Sequence, residues 1–404
     1  MAMSCAAART VLASAVKVTS EGRSKRAFEV SFSNLASVSV YGSWSTARSL
    51  KMANLDGHST GGASNESRVT SSRAPRVQRL QNVQVMANAG KTEDTEVEKK
   101  TEEYSDTMQV AMGTALTYRH ELGMNYAHVL PNLIVGSCLQ TPADVDKLRK
   151  AGISTVFCLQ QDPDLAYFDV DIGAIIERAK EVDGIEHIRA QIRDFDPYDL
   201  RLRLPKVVAT LLQAAKRNGG TTYIHCTAGL GRAPAVALTY MYWILGYDLS
   251  EANAMLQKVR TCHPKLDSIK AATADLLTGN SKEKVKLAWF RGAKESVEVA
   301  GLDVGWYERV SFTRSSDGNW YLDRELPVGK YEFKYIVDGT WCISPDTSRT
   351  EPNKDGHVNN FIEVKGDKST WEFREKVMAA DFVLTSEHRE IIKTKLEELA
   401  ENKN

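Results

Sequence analysis

The chain has 404 residues, of which 42% are hydrophobic and 26% charged, a length suited to two folded domains with tails and too long for a single small module. Basic and acidic residues balance at 52 each, and no uncharged apolar run reaches the roughly 18 to 20 residues that span a bilayer. Neither a nucleic-acid partner nor a membrane partner is expected. Six cysteines, Cys5, Cys138, Cys158, Cys226, Cys262 and Cys342, stand far apart with no CxxC pair, which argues against a zinc ribbon or a secreted disulfide framework.

The neutral total conceals an asymmetry. Residues 1–90 carry eleven Lys/Arg against four acids, a net +7, so the remaining 314 residues sum to −7. The first part is rich in Ser and Ala and lacks apolar periodicity, the composition of an organelle transit peptide. We expect that role for residues 1–87, with Val85-Met86-Ala87 resembling a plastid processing site and the chloroplast as destination. The acidic stretch KTEDTEVEKKTEEYSD then reads as a solvated linker within 88–110.

Between 111 and 281, apolar runs alternate with helical patterns, the texture of a central sheet flanked by helices. Thr141-Pro142 predicts a capped helix, 153–159 a buried strand, and 185–192 another. Pro205 is expected to open a helix that stops at Asn218-Gly219-Gly220, and 221–225 forms the next strand. The run AVALTYMYWIL (235–245) is apolar on all sides and predicts a buried helix, followed by helices over 250–260 and 264–277. Residues 282–366 break into short strand-like pieces separated by Gly, Asp and Asn, which predicts an all-β sandwich. The tail, 367–404, carries Ile391, Ile392, Leu396 and Leu399 at helical spacing, so a docked C-terminal helix is expected.

Chemistry concentrates in TTYIHCTAGLGRAPAVAL. Cys226 ends a strand and Arg232 opens the buried helix six residues later. The five residues between them, Thr227, Ala228, Gly229, Leu230 and Gly231, can curl so that backbone N–H groups and the helix N-terminus converge on a phosphate. The glycines allow close backbone approach. A thiolate at Cys226 would attack phosphorus, and Arg232 would clamp two phosphoryl oxygens. The leaving alkoxide needs a proton, for which RDFDPYDLR offers Asp194, Asp196 and Asp199.

This loop resembles that of cysteine-dependent phosphatases, and its Cys-x-Ala-Gly-x-Gly-Arg form is similar to the glucan phosphatase branch of the dual-specificity family. The resemblance covers almost everything from about residue 108 onward and implies a metal-independent, cofactor-free mechanism. It selects Asp194, 32 residues before Cys226, as the general acid, with Asp196 as runner-up. It reads Tyr118, Tyr167, Phe168 and Phe195 as a sugar-ring platform; ordinary core packing is the alternative for each. The sequence departs from the wider family at Ala233, where a hydroxyl residue is usual, and at His263, where an aromatic is frequent. The resemblance also implies that Cys158 can form a disulfide with Cys226, with a redox partner such as thioredoxin; a buried inert thiol is the alternative.

GLDVGW, then NWYLDRELPVGKYEFKYIVDGTW and PNKDGHVNNF, resemble glycogen- and starch-binding modules. The glucan contacts implied are Trp306, Lys334, Trp341 and Asn359, since flat indole faces stack on glucose rings and polar groups bond the hydroxyls. Trp289, Trp320 and Trp371 are assigned to core or interface. The expected activity is removal of phosphate monoesters from starch and amylopectin chains. Two alternatives stay open: a protein phosphatase anchored on starch, and an inactive glucan-binding scaffold.

Overall fold

The computed structural model describes residues 83–353 and 356–401. The transit-peptide expectation falls almost wholly outside the described residues.

Five strands form the first sheet: β1 (Tyr126–Leu130), β2 (Leu133–Gly136), β3 (Ile153–Cys158), β4 (Glu186–Arg189) and β5 (Thr221–His225). Their order is β1-β2-β5-β3-β4, with β1 antiparallel to β2 and the rest parallel. The central strand is β5, whose last four residues are buried, as a strand covered on both faces requires. Helices α2 (Pro142–Lys150) and α4 (Ile172–Glu181) bury Val145, Leu148, Ile175 and Ala179 with Val156 and Tyr223 on one face. Helices α5 (Pro197–Asn218), α6 (Arg232–Tyr240) and α8 (Leu266–Thr278) share a core with Phe157 and Ile224 on the other. The expected buried helix is real, but its second half, Met241–Leu245, is π-helical.

Two expectations are corrected here. The helix assigned to open at Pro205 begins eight residues earlier, at Pro197, because Asp196 caps it by accepting from the N–H groups of Tyr198 (2.9 Å) and Asp199 (3.0 Å). Pro197 occupies the first turn, where a missing N–H costs nothing, and Pro205 is carried inside. The stretch read as a solvated linker, 88–110, instead lies wholly inside the helix α1 (Val83–Met112). Thr101, Ser105, Met108 and Met112, spaced by four, three and four residues, are buried along one stripe against the first domain. Two of these four are small polar residues, so a hydropathy reading passes over the stripe.

The β module is a sandwich. One sheet holds β6 (Lys282–Trp289), β10 (Trp320–Pro327) and β9 (Thr313–Arg314); the other holds β12 (Thr340–Cys342), β11 (Gly329–Val337), β7 (Val297–Gly301) and β8 (Gly305–Ser311), with β13 (Asn360–Val364) also paired to β11. Trp289 and Trp320 are buried between the sheets with Phe333 and Tyr335, as assigned.

The tail forms α9 (Lys368–Met378) and α10 (Ser386–Glu401). Ile392 and Leu396 of α10 sit in the core of the first domain, and Lys395 donates to the Leu276 carbonyl. A buried ion cluster joins all three parts. Arg201 of α5 grips Asp275 of α8 through two 2.7 Å bonds and donates to the Val328 carbonyl of the module at 2.9 Å, while Arg374 of α9 reaches the same carboxylate at 2.6 Å. Asp275→Ala leaves two buried guanidiniums without their shared counter-charge, and breaking such a cluster costs about 3–5 kcal/mol. Urea unfolding should show that loss; a change below about 1 kcal/mol would mean that the cluster does not weld the parts together.

Candidate active site

Cys226 follows the last residue of β5, at the carboxyl end of the central parallel strand, and Arg232 is the first residue of α6. Both are buried, as are Thr227, Ala228 and Leu230. The loop curls because its carbonyls are held from outside. Cys138 N–H donates to Thr227 O (2.9 Å) and His263 N–H to Leu230 O (2.8 Å), while the Arg260 guanidinium donates to Ala228 O (3.0 Å) and Gly229 O (2.7 Å). With those carbonyls engaged from outside, none of the N–H groups at 227–230 donates to another backbone carbonyl among the described residues, which leaves them available to a ligand. A loop of that kind can cradle an anion. Gly229 has φ +69°, and a Cβ there would lie 2.2 Å from the Gly136 carbonyl oxygen, so only glycine fits.

Arg232 is fixed before any substrate arrives. Its Nη1 donates to Asp164 (2.6 Å) and to the Ile192 carbonyl (2.9 Å), and its Nη2 to Thr227 Oγ1 (3.2 Å). Asp194 lies 2.7 Å from Nη2, which brings the three sequence-predicted residues Cys226, Arg232 and Asp194 to one place. Burial pushes the Asp194 carboxyl above the usual aspartate range; Arg232 opposes this, and the neighbouring Asp164 charge reinforces it. Next to it, Phe195 has φ +53°, a conformation that a bulky residue adopts only when its surroundings impose it. Asp196 is occupied as the α5 cap and pairs with Arg193, and Asp199 is held by Arg203 and by the Arg193 N–H.

The missed residue is Tyr104. It projects from α1 and donates its hydroxyl to Asp194 Oδ2 at 2.7 Å. Burial, together with the Asp194 charge, holds its phenol well above the usual range, so it stays a donor. Its ring is the hub of an aromatic cluster, with ring centroids of Tyr118, Tyr167, Phe168 and Phe195 at 5.8, 6.3, 5.6 and 5.5 Å. Tyr118 and Phe168 are buried behind it, Tyr118 bonded to His120 and Phe168 stacked on the same ring at 4.2 Å. Tyr167 and Phe195 reach solvent, and Phe195 meets Tyr307 of β8 at 6.1 Å, so the module touches the site directly. His263 is exposed beside the loop. Cys158 and Cys226 are both free thiols.

In the module, Lys334 lies on the face of β11 opposite Phe333 and Tyr335, and Trp341 pairs with Ile336 on that same face. Trp341 is 46% exposed, with the Arg309 guanidinium 5.7 Å from its ring. Asn359 donates to Glu332 (2.9 Å), and Trp306 lines a cavity of about 610 Å³ at the junction of the module, α5 and α9, where Trp371 forms another wall. Trp371 is thus at an interface, as expected.

Comparison with known proteins agrees with this division. The catalytic-domain model of dual specificity phosphatases matches residues 143–269, and the model for the glycogen recognition site of AMP-activated protein kinase matches 283–370. The chain is 57% identical over 282 residues to the amyloplastic phosphoglucan phosphatase DSP4 of Castanea sativa, covering 69% of this chain and 75% of that one. It is 31% identical to the chloroplastic phosphoglucan phosphatase LSF1 of Arabidopsis thaliana, over 65% of this chain and 45% of that protein. To laforin of Mus musculus it is 26% identical, over 34% and 44% of the two chains.

Proposed function

The chain belongs to the phosphoglucan phosphatase family, and from that premise we propose that it removes phosphate monoesters from glucosyl units of starch through a cysteinyl-phosphate intermediate. The observation that carries the mechanism is the convergence of Cys226, Arg232 and Asp194 around a loop whose carbonyls are all tied back. Cys226 Sγ attacks phosphorus, forming the S–P bond as the P–O bond to the sugar breaks. Arg232 and the loop amides hold the equatorial oxygens, where charge accumulates. Asp194, whose carboxyl burial raises above the usual aspartate range, gives its proton to the departing sugar oxygen. It then takes a proton from the water that cleaves the S–P bond, which releases inorganic phosphate and the thiolate. Neither step calls on a metal or a cofactor.

Arg232 pairs with Asp194 in the free enzyme, and an incoming phosphate dianion would compete for that guanidinium and release the carboxyl. Tyr104 positions the carboxyl throughout. Its hydroxyl favours the ionised form, so Tyr104→Phe should raise the Asp194 pKa and move the alkaline limb of the kcat/KM profile to higher pH. An unmoved limb would reduce Tyr104 to a packing residue.

Tyr167, Phe195 and Tyr307 offer the exposed aromatic faces for a sugar chain at the catalytic mouth, backed by Tyr118 and Phe168. Trp306, Lys334, Trp341 and Asn359 would hold the glucan on the module and raise its local concentration. The setting is the plastid, and the granule surface is where such a module would act. The test is phosphate release from solubilised phosphorylated starch beside a small aryl phosphate. Trp306→Ala with Trp341→Ala should lower the starch activity on the order of 10-fold or more and leave the aryl activity unchanged. Equal losses on both substrates would remove the module from substrate binding.

A disulfide between Cys158 and Cys226, made by a peroxide-type oxidant and reopened by a dithiol partner such as thioredoxin, is part of the same reading. Two buried free thiols at the ends of adjacent strands β3 and β5 support it. Activity that is indifferent to oxidation and reduction would end it.

A further inference from the structure

One cluster of ligating groups takes no part in the reaction above. In the parallel sheet, Val156 pairs with His187 and Tyr223, and Cys158 pairs with Arg189 and His225. Side chains two apart on a strand share a face, as do register partners, so Cys158, His187 and His225 converge on the side covered by α2 and α4. Cys158 Sγ and one nitrogen of each imidazole lie within 4.8 Å of one another. No motif announces this, because the three residues come from three strands.

The imidazoles are arranged as ligands. Nδ1 of His225 is 3.2 Å from the Cys226 carbonyl oxygen, and that bond forms only if Nδ1 carries the proton, which leaves the Nε2 lone pair available. Nε2 has no hydrogen-bond partner among the described residues, and neither has either nitrogen of His187. His225 is 1% exposed and Cys158 fully buried, so water does not satisfy these atoms from bulk solvent. The charged groups acting on Cys158 are Arg189, Arg232 and Asp164; Arg189 is paired to Asp162 at 2.7 Å, and Arg232 to Asp164 and Asp194.

We propose that Cys158, His187 and His225 form a binding site for a borderline-soft divalent cation, Zn²⁺ in the first place. One thiolate and two neutral imidazoles are a zinc donor set, with the fourth tetrahedral position left to a water. Zinc–ligand bonds of about 2.0–2.3 Å set ligand separations of roughly 3.3–3.6 Å, so rotations that draw the three side chains together by about 1 Å complete the site. As the Zn–S bond forms, the Cys158 thiol releases its proton to solvent, with no change of oxidation state. The metal is then bound by His225, the residue that precedes Cys226, and a zinc-bound Cys158 cannot at the same time enter a disulfide.

The test is titration of the reduced full chain with Co²⁺ as a spectroscopic stand-in, followed by displacement with Zn²⁺. One equivalent should bind, with a thiolate-to-cobalt charge-transfer band and tetrahedral d–d bands. Cys158→Ser should abolish the charge-transfer band. His187→Phe should weaken binding by more than the roughly 10- to 100-fold typical of losing an outer-shell partner. Cys226→Ser should retain both signals. Because core variants can misfold, the same comparison is made by thermal unfolding, where Zn²⁺ should raise the Tm of the wild type and of Cys226→Ser but not that of Cys158→Ala. Loss of the band in Cys226→Ser, its persistence in Cys158→Ser, or absence of any one-equivalent binding overturns the site.

Discussion

Cys226→Ser should abolish phosphate release from starch and from an aryl phosphate alike, by at least about four orders of magnitude, while starch binding stays intact. The argument is one of chemistry rather than packing. The loop that surrounds Cys226 is held by Arg260, His263 and Cys138 from outside, and none of those bonds involves the Cys226 side chain, so the cradle persists in the variant. A serine hydroxyl there is both less ionised and less nucleophilic than a thiol, and Asp194, which serves the leaving group, is needed protonated and cannot also act as base. The module lies outside this change. Wild-type protein that binds starch but releases phosphate from neither substrate under reducing conditions would mark the chain as a glucan-binding scaffold. Release from the aryl phosphate alone would make it an anchored phosphatase with another substrate.

The phosphate loop was legible because its requirements are local. Gly229 needs a positive φ, Arg232 must open a helix, and Cys226 to Arg232 are seven consecutive residues, although Gly136, which Gly229 closely approaches, and Cys138, Arg260 and His263, which hold the loop from outside, are not among them. Asp194 was reachable through resemblance, but nothing in the local sequence separates it from Asp196 and Asp199. In the structure Asp196 caps a helix and Asp199 pairs with Arg203, whereas Asp194 lies 2.7 Å from Arg232. Tyr104 and Asp164 were illegible for a different reason. Tyr104 sits in an acidic stretch whose buried stripe is half polar, and Asp164 in a short helix, Asp162–Tyr167, with no periodicity to reveal it. The joint between the parts, Arg201–Asp275–Arg374, is assembled from residues 74 and 99 positions apart, and a buried ion cluster of that kind looks in sequence like any solvated charge. The β strands were read closely because sandwich strands alternate in burial, as β11 does from Gly329 to Tyr335.

Asp194→Asn should lower starch-phosphate release by roughly 10²- to 10⁴-fold, yet lower release from an aryl phosphate with a weakly basic leaving group far less. A sugar alkoxide is a strong base and leaves only with a proton, whereas a stabilised phenolate leaves without one, so the gap between the two substrates measures proton donation itself. Asparagine keeps the shape, and its one amide oxygen can still accept from the Phe195 N–H, which bonds Oδ1 at 3.0 Å; its NH2 takes the place of Oδ2, 2.7 Å from the Tyr104 hydroxyl, which then accepts rather than donates. The turn and the Phe195 conformation should therefore survive, and thermal unfolding checks that they do. The sign of the pH effect follows from the raised Asp194 pKa: the acid is protonated below that pKa and donates, and the starch rate falls as pH rises through it. In Asp194→Asn the alkaline limb on starch should flatten. Equal losses on both substrates would point instead to Arg232, whose Nη2 lies 2.7 Å from Asp194 and would lose its partner along with the acid. In that case the carboxyl would be a positioning group for the guanidinium, and Asp164, the arginine's other partner at 2.6 Å, should give the same phenotype when changed to Asn.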